Sequence, residues 1–206
     1  MEFLQRAPGR PPRLGILPGA FNPVTVAHVA MAQAALAAVD EVLLVLPRIL
    51  PHKAYSGASL EERLEILLAA AAEYPRFSVA VSRGGLFAEI ARECREVYGP
   101  EPSLWFLCGR DAAERIAGWD YGAPEAFASM LREFGLLVAA RAGEYAPPAE
   151  YAAAVRQLPL EGSYDDVSAT EIRERIRRGQ SWEHLVPENA RQAVSAVYAR
   201  SVTARK

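Results

Sequence analysis

The chain has 206 residues and a net charge of −2, with 51% of residues hydrophobic and 23% charged. That length supports one large domain with a sizeable core, and the balanced charge excludes the global basic field that binds a nucleic-acid polymer. Two cysteines, Cys94 and Cys108, lack a C-x-x-C spacing, which excludes a zinc-finger pattern and a disulfide framework and fits a reducing cytoplasm. No apolar run reaches membrane-spanning length, so no membrane partner is expected.

In chain order, residues 1–13 are rich in Arg, Pro and Gly, lack the apolar centre of a signal peptide, and read as a flexible leader. Apolar runs then predict strands at 14–17, 41–46, 77–81, 104–107 and 136–139, with a weaker one at 156–158. Helical patterns fall between them at 25–38, 60–73, 86–97, 112–117 and 125–133. Short strands that are apolar on both faces and alternate with helices predict an α/β fold, a doubly wound, Rossmann-like parallel sheet. Two further helices, 169–178 and 187–200, have no strand between them. They predict a small helical C-terminal subdomain over 163–206, beside a nucleotide-binding α/β domain over 14–162.

The loops at the carboxyl ends of the strands carry the chemistry. Gly19, Ala20, Phe21, Asn22 and Pro23 make a tight turn between the first strand and the first helix, where backbone N–H groups and a helix N-terminus gather anions. Thr25 and His28 follow, three residues apart and so on one face of the first helical turn. The second strand leads into P-R-I-L-P-H-K, whose Arg48, His52 and Lys53 either converge on the same phosphates or form a solvated basic turn. Arg63, on the next helix, is equally open between the two. After the fourth strand, L-C-G-R-D offers Gly109 for close backbone approach. Its Asp111 either accepts from a nucleoside or caps the next helix. Trp119 is placed to stack on a ring or to serve as packing. Ser168 and Glu171 match a capping box, and the same helix start presents Ser168, Thr170 and Arg173 as a second anion site. Two helix N-termini and several basic groups suit a triphosphate.

The run G-A-F-N-P-V-T-V-A-H resembles the first signature of the nucleotidylyltransferase superfamily, and V-S-A-T-E-I-R resembles its second. P-H-K, L-C-G-R-D and the downstream tryptophan are similar in order and spacing to nicotinate- and nicotinamide-mononucleotide adenylyltransferases. The chain departs from that pattern at Thr25, where those relatives carry histidine, at Ala27 for glycine, and at S-R-G-G-L-F (82–87) for a Ser/Thr/Tyr-rich segment.

The resemblance implies AMP transfer from ATP to a pyridine mononucleotide with release of pyrophosphate, in NAD biosynthesis, with Mg²⁺ accompanying ATP and no protein metal cage. His28, Thr25, Lys53 and Arg173 are the implied catalytic residues. Gly19, Ala20, Phe21, Asn22, His28, Gly109, Asp111, Ser168, Thr170 and Arg173 would bind ATP. His52, Lys53, Arg83 and Trp119 would bind the acceptor, with Arg83 facing a nicotinate carboxylate. Two alternatives stand beside this expectation: a sister nucleotidylyltransferase acting on another phosphate such as phosphopantetheine, and a catalytically silent nucleotide-binding protein.

Overall fold

Strands buried on both faces need a helical layer on each side, and the sequence supplies both. The structure, a computed structural model, describes residues 1–50, 57–118, 126–139, 146–147 and 149–198. The strands are β1 (Glu2–Gln5), β2 (Arg13–Pro18), β3 (Glu41–Pro47), β4 (Phe77–Ser82), β5 (Ser103–Gly109), β6 (Gly135–Ala139) and β7 (Val155–Leu158). They lie side by side in the order β1-β4-β3-β2-β5-β6-β7, parallel from β4 to β7. The order reverses at β2 and β5, the switch point at which open α/β sheets bind ligands.

The helices are α1 (Val26–Ala35), α2 (Leu60–Ala71), α3 (Phe87–Tyr98), α4 (Arg110–Ala117), α5 (Ala126–Glu133), α6 (Ala169–Arg178) and α7 (Arg191–Tyr198). Because side chains alternate along a strand, each face of the sheet has its own core. One joins Leu17, Val42, Leu44 and Val79 to α1, α2, α6 and α7 through Ala32, Ile66, Ile172 and Val194. The other joins Ile16, Leu43, Phe106 and Val138 to α3, α4 and α5 through Ile90, Ala113 and Phe127. The C-terminal helices therefore share a core with α1 and α2, and bring α6 beside the loop that follows β2.

The leader is not a flexible arm over its whole length. Residues Glu2–Gln5 form β1, antiparallel to the edge of β4 with Glu2 opposite Val81 and Phe3 opposite Ala80. Phe3 meets Tyr98 edge-on at 5.8 Å, and the Arg6 guanidinium lies over both rings. The Ala7 N–H donates to Ser78 Oγ at 2.8 Å. A four-residue strand gives too short an alternation to be read from sequence; the unpaired edge of β4 supplies the partner.

Two packing features give direct tests. At Gly135, a Cβ would fall inside contact distance of the Trp105 ring and 2.9 Å from the Ala154 carbonyl oxygen. Trp105 is itself held in place by Arg156, whose guanidinium lies 4.5 Å from its ring centre. Gly135→Ala should therefore cost about 2 kcal/mol and lower Tm by about 4–8 °C in a calorimetric scan. The second concerns Cys94 and Cys108, both buried and unbridged. Burial pushes each thiol up to about 12, so roughly one in ten thousand is thiolate at pH 8. Neither should react with iodoacetamide at that pH in the folded protein, and both should react once it is unfolded, as read by intact mass.

Candidate active site

Beyond the Ile16–Phe106 pair, β2 and β5 part, and three residues further along each lie Gly19 and Gly109. The first loop turns tightly here. The Gly19 N–H is spent on the Val45 carbonyl at 3.0 Å, so Gly19 extends the sheet and does not offer its N–H to a ligand. Its missing side chain has another use: a Cβ would lie 3.1–3.3 Å from the Phe21 ring, which folds back over it. Phe21 takes φ 42°, a left-handed conformation unusual for an aromatic residue, and is buried. Its ring meets His28 edge-on at 5.1 Å.

Such a turn persists only when its surroundings fix it. Three side chains from remote helices do so. Arg63 Nη1, on α2, donates to the Ala20 carbonyl at 2.8 Å. Arg173 Nη1, on α6, donates to the Asn22 carbonyl at 2.5 Å. The Tyr198 hydroxyl, on α7, donates to Asn22 Oδ1 at 2.5 Å. With the carbonyls turned onto these groups, the N–H groups of Ala20 and Phe21 donate to no partner among the described residues.

Thr25 caps α1, and the cap sets the histidine. The His28 N–H donates to Thr25 Oγ1 at 3.3 Å, and the Thr25 N–H donates back to His28 Nδ1 at 3.1 Å, with Thr25 Oγ1 2.8 Å from the same nitrogen. A backbone N–H can only donate, so Nδ1 is the acceptor and the ring proton sits on Nε2. The half-buried imidazole is thereby oriented as a neutral donor at a helix N-terminus. Thr25 is buried and engaged with His28, so its hydroxyl is turned inward, toward that ring.

The second signature folds as α6, and Arg173 ties it to the first across 151 residues. Arg173 Nη1 also donates to the Ala169 carbonyl and Nη2 to Thr170 Oγ1. The Nε–H and one Nη2–H stay unengaged with described residues, which leaves the guanidinium able to take an anion. Ser168 caps α6 by accepting the Glu171 N–H at 3.1 Å. The capping box is only half formed, because Arg175 Nε draws the Glu171 carboxylate away at 2.7 Å.

Gly109 caps α4 without a side-chain bond, and a Cβ there would meet no described residue within 4 Å. Packing among the described residues therefore does not demand glycine at this point, which ends β5. Asp111 is exposed in the first turn of α4, just past the cap position, and does not cap the helix.

Arg83 stands apart from this group. Its Nη2 pairs with Glu96 at 2.7 Å and its Nε lies 3.6 Å from Glu93, both on α3. Arg48 is likewise drawn to Glu2 on β1 at 2.6 Å. His52, Lys53 and Trp119 lie outside the described residues. Arg63 and Tyr198 carry much of the loop's geometry, yet no short motif marks them, since they act across 43 and 176 residues of sequence. Among the described residues, no three His, Cys, Asp or Glu side chains converge as metal ligands. Nor is any described helix long and apolar enough to cross a membrane.

Among the described residues, the site presents an imidazole N–H, a partly engaged guanidinium and two backbone N–H groups, donors of the kind that suit phosphate oxygens. Comparison with known proteins gives the family. The family model described as cytidylyltransferase-like matches residues 16–175. A probable nicotinate-nucleotide adenylyltransferase of Thermus thermophilus is 34% identical over 182 residues, which cover 85% of this chain and 92% of the relative. That of Moorella thermoacetica is 32% identical over 196 residues, covering 87% of each. Among solved structures, Plasmodium falciparum nicotinic acid mononucleotide adenylyltransferase complexed with NaAD has the same fold. It aligns at a TM-score of 0.68 and 14% identity, over 89% of this chain and 95% of that one. With both signature loops inside the matched span, the chain belongs to the cytidylyltransferase-like family and is a nucleotidyltransferase.

Proposed function

We propose that the protein transfers AMP from ATP to nicotinate mononucleotide, releasing pyrophosphate, as a step of NAD biosynthesis in the cytoplasm. The observation that carries this reading is the bond from Arg173 to the Asn22 carbonyl, which ties the start of α6 to the loop that leads into α1. The names of the similar enzymes support nicotinate as the acceptor base.

In this reaction an oxygen of the acceptor phosphate attacks the α-phosphorus of ATP in line. One P–O bond forms there as the bridge to the β-phosphate breaks and pyrophosphate leaves with the electron pair. Such a transition state needs positioning and spread positive charge more than covalent help. The His28 Nε2–H donates to a non-bridging α-phosphate oxygen as charge gathers on it. The Phe21 N–H, the α1 N-terminus, Ser168, Thr170 and Arg173 receive the β- and γ-phosphates, with Lys53 as a further cation. Gly109 admits the nucleoside, and Asp111 accepts from it. Magnesium enters as the MgATP substrate. Arg83 can exchange Glu96 for a nicotinate carboxylate cheaply, since an exposed ion pair is worth at most about 1 kcal/mol. His52 and Trp119 complete the acceptor side.

Pyrophosphate release from MgATP with nicotinate mononucleotide, nicotinamide mononucleotide and phosphopantetheine tests the assignment. Release should be fastest with the first. Preference for phosphopantetheine would move the protein to a sister activity, and ATP binding without release would make it a silent binder. His28→Ala should lower kcat by about 10²–10³ while the Kd for ATP changes little. Gly109→Ala should leave Tm unaltered and raise the KM for ATP, because no described residue contests that space and a bound nucleotide would.

A further inference from the structure

Arg63 is 5% exposed, and a buried guanidinium needs its donors satisfied to offset the loss of water. Its Nε donates to the Ser59 carbonyl at 3.2 Å, at the N-cap of α2, and its Nη1 to the Ala20 carbonyl at 2.8 Å. One planar fork thus spans the start of α2 and the loop after β2. The same segment meets that loop again at Gly57, where a Cβ would lie 3.1 Å from Asn22 Nδ2.

The Ala20 carbonyl is one end of the peptide group whose other end is the Phe21 N–H. In a planar trans peptide the two point in opposite directions. Fixing the carbonyl on Arg63 therefore aims the Phe21 N–H away from α2, toward the open side of the loop. The equivalent clamp on Asn22 cannot do this, because the next residue is Pro23 and has no N–H. A cationic donor on the carbonyl also polarises the peptide and strengthens its N–H as a donor.

The geometry points to Arg63 as the positioning residue that orients the Phe21 N–H for a phosphate oxygen, so that a side chain outside the anion site sets its affinity. This inference rests on the adenylyl-transfer reading for its substrate, but its test does not. Inorganic tripolyphosphate is titrated into ¹⁵N-labelled protein, and the Phe21 amide is followed for the parent, Arg63→Met and Arg63→Lys. In the parent the Phe21 amide resonance should move downfield on binding. Arg63→Met should weaken the Kd about ten- to a hundredfold, with loss of that shift. Arg63→Lys keeps the charge but not the fork; it should recover part of the affinity and remain about threefold weaker than the parent.

Tm is measured in parallel, since a purely structural arginine would lower Tm and leave the Kd of the folded protein alone. Parent-like binding by Arg63→Met would overturn the inference. So would a parent Phe21 amide that ignores tripolyphosphate. If Arg63→Met does not fold, Arg63→Lys decides: binding at parent strength overturns the inference, and weaker binding upholds it. Absence of pyrophosphate release with every acceptor would instead sink the adenylyl-transfer reading, leaving the anion titration to judge Arg63 separately.

Discussion

The reciprocal cap between Thr25 and His28 joins the fold to the chemistry. An N-cap satisfies helix donors that would otherwise lack partners, so the exchange of bonds between these two residues starts α1. The same exchange places His28 Nδ1 against a backbone N–H and leaves the proton on the nitrogen that faces away. Helix start and imidazole tautomer are thus one interaction. The oddity of the first signature, threonine where relatives carry histidine, becomes a packing choice: Thr25 is buried and short enough to close the cap.

The sheet was readable because its strands are buried on both faces. Val42 to Leu46 and Val79 to Val81 are continuous apolar runs, and helices between such runs leave few parallel topologies. Ends moved by a residue or two, as at β5, where pairing continues to Gly109. What stayed hidden was β1, whose partner strand lies more than 70 residues away. The half-formed cap of α6 was also beyond pattern matching. S-x-x-E is present, but the arginine four residues after Glu171 offers its carboxylate a charged donor, which outcompetes a backbone N–H.

At the site, the two signature loops and Arg173 were legible, whereas the bonds by which Arg63, Arg173 and Tyr198 hold the first loop were not. Signatures are contiguous because a loop and a helix start are contiguous. The clamp on that loop comes from α2, α6 and α7, three elements brought together only by the core on that face of the sheet. Gly19 shows the gap between motif and geometry: the motif suggests an N–H for phosphate, whereas in the fold the N–H goes to Val45 and the empty side-chain space to Phe21.

The division between reaction and acceptor follows from sheet geometry. The groups proposed for the triphosphate lie at the ends of β2 and β5, where the strands part. The acceptor base, by contrast, would be read by loops farther along the sheet, such as the one after β4. There Arg83 is engaged by two glutamates of α3, and the Arg83 and Gly84 N–H groups donate to Glu93. On the adenylyl-transfer reading, a nicotinate carboxylate reaching this loop would have to replace Glu96 on Arg83, whereas an amide would offer the guanidinium no charge in return. Acceptor choice would then turn on exposed ion pairs, and transfer on groups held by several hydrogen bonds, as His28 and Arg173 are.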